Sequence, residues 1–127
     1  MTDVLILSGV RTAIGDFGGA LKNVPAADLG GLVIGEAIAR AGIAADAVGH
    51  VVMGNVIPST PSDAYLARVA AVRAGVPVAV PAPPVTPLRG PGLQAIIPAA
   101  QALRPALCGV GVAGRGPTYA PGAPLRD

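Results

Sequence analysis

The sequence predicts an α/β fold with a mostly parallel sheet, and three observations carry that expectation. Short β-branched runs alternate with longer Ala/Leu/Ile segments at helical spacing. Glycine or proline punctuates most of the junctions between them. The composition is 52% hydrophobic and only 13% charged, with a mean hydropathy of +0.63. Strands that alternate with helices form parallel sheets with right-handed crossovers, and such sheets need both faces covered. A chain of 127 residues is one domain's worth.

Each element has its own justification. Residues 4–8, Val-Leu-Ile-Leu-Ser, are apolar and long enough for a buried strand. Residues 9–21 are Gly-rich and mixed in character, which reads as loop. Gly15, Gly18 and Gly19 lack the spacing of a phosphate-binding loop. Pro25-Ala-Ala-Asp28 signals a helix start, with Asp28 as cap or first-turn acid. Leu29, Leu32, Val33 and Ala37 recur at helical spacing up to residue 41, and Gly42 is a natural stop. This helix is apolar on more than one side and is expected to be sandwiched. After a connector over residues 44–49, residues 50–57 read as a second strand, opening with His50. A polar loop leads to Asp63, expected to cap a helix over 64–74 that ends at Gly75. Residues 78–85 are strand-like but contain Pro81, Pro83 and Pro84, so they can form only an edge or a poor strand. A helix is expected over 93–103, with Pro98 costing about 3 kcal/mol inside it. Residues 107–113 are a fourth candidate strand. Residues 115–127, rich in Gly, Pro and Arg, are expected to be an irregular, disordered tail after a domain spanning 1–114.

Composition excludes several functions. No apolar stretch reaches the roughly 20 residues a spanning helix requires, and no basic segment precedes the first apolar run. The expectation is a cytoplasmic protein with no membrane partner. Cys108 is the sole cysteine, which excludes an intrachain disulfide and gives no zinc spacing; no metal or other cofactor is expected. The basic residues of the second half are dispersed, with only Tyr65 and Tyr119 for stacking, so no nucleic-acid partner is expected.

The chain is organised around residues 86–97, where a Pro-rich run passes through Gly90 and Gly92 into an Ala/Leu/Ile helix. A strand–turn–helix of this kind brings amide N–H groups together at a helix N-terminus, which favours anions, thiolates and oxyanions. Arg89 stands at the tip of the turn, and a guanidinium is no nucleophile at neutral pH. It either holds an anion or marks a lost nucleophile position; repulsion between a cation and a helix N-terminus favours the second. Cys108 reads as a small buried hydrophobe rather than a substitute nucleophile. His50 reads as a surface or strand-edge residue. Asp46 and Asp63 read as caps or loop acids. Arg68 could pair within the fold or across an interface.

Four segments together resemble the thiolase family, the acetyl-CoA acetyltransferases and β-ketothiolases. They are Arg11-Thr-Ala-Ile-Gly15 with Phe17-Gly-Gly19; Met53-Gly-Asn-Val56; Ala67-Arg68 with Ala70-Ala and Arg73-Ala-Gly75; and Gly92-Leu-Gln-Ala95 with Ala99-Ala-Gln-Ala-Leu-Arg104. All four occur in the family's order, covering residues 1–104 well and 108–114 loosely. The resemblance implies an N-terminal fragment of a thiolase-type layered fold. It implies acyl-CoA acyltransfer, by thiolysis or Claisen condensation, with coenzyme A thioesters as substrates in fatty acid metabolism. It also implies homo-oligomers for the full-length family. The family's turn carries a nucleophilic cysteine followed by Gly-Ser-Gly; here the corresponding positions are Arg89, Gly90, Pro91 and Gly92. The family's later histidine and second cysteine have no counterpart here, so this chain is expected to be inactive. The alternative expectation is a non-catalytic binding or assembly module.

Overall fold

The computed structural model describes residues 3–16, 18–58, 60–87 and 90–117. Among these residues, three α-helices and three strands form the architecture: α1 (Ala26–Ala41), β1 (His50–Gly54), α2 (Leu66–Arg73), β2 (Pro84–Val85), α3 (Pro91–Leu103) and β3 (Gly111–Arg115). All strand pairs are parallel, in the order β2-β1-β3. The expected α/β class with a parallel sheet is what the chain adopts.

Alternation along β1 explains the layering. Successive side chains of a strand point to opposite faces. Val51 and Met53 enter a core with Ile34 and Ile38 of α1 and Leu66, Ala67 and Ala70 of α2. Val52 faces the other way, onto Ala95 and Ala99 of α3. Thus α1 and α2 cover one face of the sheet and α3 the other. The two helices on the first face meet closely: a Cβ built on Gly30 would stand 2.9 Å from the Ala70 Cβ. Asp28 of α1 pairs with Arg73 of α2 across the same contact.

Helix α1 opens at Ala26 behind Pro25, and Gly42 closes it in the left-handed conformation. Its expected sandwiching is incomplete, because Leu32 is 66% exposed. Residues 4–8 depart further from expectation. They form no strand, and Ile6 is 88% exposed. A strand exists only through its partners, and among the described residues none pairs with this segment. It is held instead by the Ser8 hydroxyl, which donates to the Ala37 carbonyl at 2.7 Å.

Two boundaries also move. The third strand begins at Gly111 rather than 107, leaving Cys108 half-buried in the preceding bend, against Gly49. Asp63 does not cap α2. It begins a short 3₁₀ turn (Asp63–Tyr65), and its Oδ2 accepts the Thr60 N–H at 2.9 Å, looking back into the loop. The edge strand β2 is as short as its prolines dictate.

Candidate functional site

In a parallel sheet the carboxyl ends of all strands lie on one side, and open α/β folds place their ligand sites there. In this chain that side is where α3 begins. Gly90 precedes α3 with φ 79° and ψ 32°, a left-handed conformation that side chains with a Cβ rarely adopt. Pro91 takes the first helical position, where its fixed φ suits the helix and a missing N–H breaks no intrahelical bond. The Gln94 N–H then donates to the Gly90 carbonyl at 3.0 Å, the first rung of the helix.

The turn is seated against the end of β1. A Cβ on Gly54 would lie 2.6 Å from both the Cβ and the carbonyl carbon of Pro91, so only glycine permits this approach. The Gly54 carbonyl accepts the Gly116 N–H at 2.7 Å, tying in the end of β3. The stem of Arg115 covers the start of α3, with its Cδ 3.2 Å from where a Cβ on Gly92 would stand. Next along the chain, the Asn55 N–H donates to the Val85 carbonyl at 3.0 Å, and its side-chain Nδ2 donates to the Asp63 carbonyl at 3.0 Å. Asn55 and Asp63 are the two buried polar residues among those described.

The sequence-derived candidates distribute as follows. Arg89, assigned to the tip of the turn, lies outside the described residues, as does Leu88 beside it. The described flanks, Pro87 and Gly90, bracket the gap in sequence, and α3 starts two residues earlier than the periodicity indicated. His50 is the partly buried first residue of β1, at the opposite end of that strand from Gly54. Cys108 precedes β3, at the end of that strand opposite Arg115. Neither is brought to the turn. Arg68 pairs within the fold, donating from its Nη1 to the Val78 carbonyl at 2.8 Å. No cluster of metal-ligating side chains occurs among the described residues, and no helix among them is long and apolar enough to cross a membrane. A groove of about 320 Å³ opens between Val10, Arg11, Leu21, Leu29, Leu32 and Glu36, and none of its lining residues belongs to the turn.

Asn55 is the residue sequence reasoning passed over. Its signal in the sequence is an amide side chain placed directly after an apolar strand, within Met53-Gly-Asn-Val56.

A glycine-built strand–turn–helix at the carboxyl edge of a parallel sheet defines a class of α/β protein that presents groups at a helix N-terminus. The family model for the thiolase N-terminal domain matches residues 4–116, and the chain belongs to the thiolase family. It is 58% identical over 101 residues to the β-ketothiolase BktB of Cupriavidus necator, covering 80% of this chain and 26% of that protein. It is 46% identical over 103 residues to an acetyl-CoA acetyltransferase of the same organism, covering 81% and 26%. The fold is similar to that of the Acat5 thiolase from Ascaris suum in complex with coenzyme A, with a TM-score of 0.86, 31% identity, and coverage of 99% of this chain and 34% of that one. It is likewise similar to the Bacillus anthracis acetyl-CoA acetyltransferase, at a TM-score of 0.81 and 38% identity over 87% of this chain and 28% of that one. The chain therefore spans about a quarter of the length of the curated relatives it matches, at 26% of each.

Proposed function

We propose that this chain carries the nucleophile-presenting part of a thiolase-type acyl-CoA acyltransferase, in a form that cannot form the acyl-enzyme. One observation carries the reading: the Gly90–Pro91 turn opens α3 against Gly54, while the sequence places Arg89 where the resemblance requires cysteine. The chemistry of the family needs a thiolate there. Its attack on a thioester carbonyl forms a new C–S bond, expels the thiolate of coenzyme A, and leaves the acyl group on the protein. Arg89 has no electron pair to offer at neutral pH. Pro91 removes one amide N–H from the group that would stabilise the charged intermediate. The substrates are acyl-CoA thioesters, the location is the cytoplasm, and the assembled protein is a homo-oligomer; similarity to a thiolase solved with coenzyme A supports the first of these.

The test is thiolysis of acetoacetyl-CoA by the purified chain. The expected result is no turnover above the uncatalysed background; turnover above it overturns the proposal.

A second reading, a non-catalytic binding or assembly module, is favoured by the apolar outer face of α3, where Leu93, Ile96 and Ile97 are exposed. Burying such a patch favours association. It requires a defined soluble species in size-exclusion chromatography, and a profile containing only aggregate rejects it.

A further inference from the structure

We infer that the groove between α1 and the segment 10–13 is a binding site for a medium-chain aliphatic carboxylate, its tail along α1 and its head between Arg11 and Arg40. The groove is separate from the turn before α3. The inference therefore goes beyond the acyltransferase reading and is decided independently of it.

Helix α1 carries two apolar stripes. Ala27, Ile34 and Ile38 point into the core against α2 and β1. Leu29, Leu32 and Val33 line the groove instead, outside that core. An apolar stripe on a helix normally faces a partner. Here it forms one wall of the groove, and the segment that follows the Ser8 anchor forms the other. Leu21 completes the apolar lining; a Cβ on Gly15 would stand 3.4 Å from its Cδ1, and its carbonyl accepts the Val24 N–H at 3.0 Å. From Leu29 to Arg40, at 1.5 Å per helical residue, the α1 wall is about 16 Å long. A shallower hollow adjoins the groove and shares Val10, Arg11 and Arg40 with it, so both guanidinium groups border one opening. The Arg40 Nε donates to the Glu36 carboxylate at 2.6 Å. Arg11 has no hydrogen-bond or ion-pair partner among the described residues. Two guanidinium groups against the one Glu36 carboxylate leave a single positive charge at the opening. A carboxylate balances that charge, and a guanidinium holds it through two parallel N–H bonds. Ten carbons span about 12 Å in a zigzag of ~1.5 Å bonds, which fits the wall with the head at the arginines. An inorganic anion would leave the leucines in water, and an alkane would leave Arg11 unpaired; a molecule with both parts uses the whole groove.

The probe is sodium decanoate, kept below its micelle concentration and titrated into the full, isotopically labelled chain. Amide NMR shifts report both affinity and place. Saturable binding is expected, with the largest shifts in residues 10–13 and 29–40. Arg11→Gln should weaken it at least about tenfold, the loss of a charge-assisted bond. Leu32→Gln should weaken it about fivefold through lost apolar contact. Arg104→Gln, outside the groove, should stay within about twofold, since a distant surface charge is screened. All three positions are exposed, so the variants keep the fold. Decanol, with the tail alone, and inorganic phosphate, with the charge alone, should each bind at least about tenfold more weakly than decanoate. Absence of saturable decanoate binding, or largest shifts elsewhere in the chain, overturns the proposal. Equal losses in Arg11→Gln and Arg104→Gln, an unweakened Leu32→Gln, or phosphate bound as tightly as decanoate also overturn it. So does sedimentation showing a dimer of the parent chain that Leu32→Gln dissociates, which gives the apolar wall to a second copy.

Discussion

Replacing Gly54 by alanine tests the seating of the turn directly. The added methyl would lie 2.6 Å from the Cβ and carbonyl carbon of Pro91, both parts of a rigid residue rather than the tip of a flexible side chain. Carbon atoms settle at roughly 3.5–4.0 Å, so the start of α3 must retreat by about 1 Å. It cannot do so freely, because Ala95 and Ala99 of the same helix are packed on Val52. Overpacking of this kind costs about 1–3 kcal/mol. At roughly 4 °C per kcal/mol for a domain of this size, the melting midpoint should fall by about 4–12 °C. Gly35→Ala supplies the contrast: it lies within α1, and a Cβ there meets nothing within 4 Å. That substitution should raise stability by about 0.5–1 kcal/mol, since alanine loses less backbone entropy in a helix. Thermal unfolding followed by circular dichroism reads both. A Gly54→Ala chain melting at or above the parent would refute the close approach of β1 and α3, and with it the geometry of the turn.

Other substitutions isolate other features. Pro98→Ala restores a donor to the middle of α3 and should stabilise the chain by about 3 kcal/mol, read as a rise of roughly 1–2 M in the urea midpoint. Leu66→Ala removes a fully buried side chain from the core between α1 and α2; a loss of about 2–5 kcal/mol in denaturant titration is expected. Arg73→Ala breaks the pair with Asp28, but both side chains are about half exposed, so the cost should stay below about 1 kcal/mol and shrink further in 0.5 M salt.

Periodicity made much of the scaffold legible. The apolar spacing from Leu29 and the stop at Gly42 located α1, and the prolines reduced 78–85 to a two-residue edge strand. Residues 4–8 show what such patterns leave open. Val-Leu-Ile-Leu has the composition of a buried strand, but pairing is a property of two segments, and composition describes one. Asp63 failed as a cap for a related reason: Thr60 competes for the same carboxylate from the other side, at a distance in sequence that capping rules also allow. The turn was visible through Gly90 and Gly92, whereas its closeness to Gly54 was not, because the two glycines are separated by a crossover. Asn55 was hidden the same way, its partners being Asp63 and Val85.

The proline-rich border of the sheet has a bearing on how these chains would meet one another. A strand arriving from solvent needs a row of donors and acceptors to dock on, and three of the five residues from 81 to 85 can offer only acceptors. That margin is a poor template for adding further strands, so any uncontrolled growth of the sheet into fibrils or ladders would have to start from the side of β3.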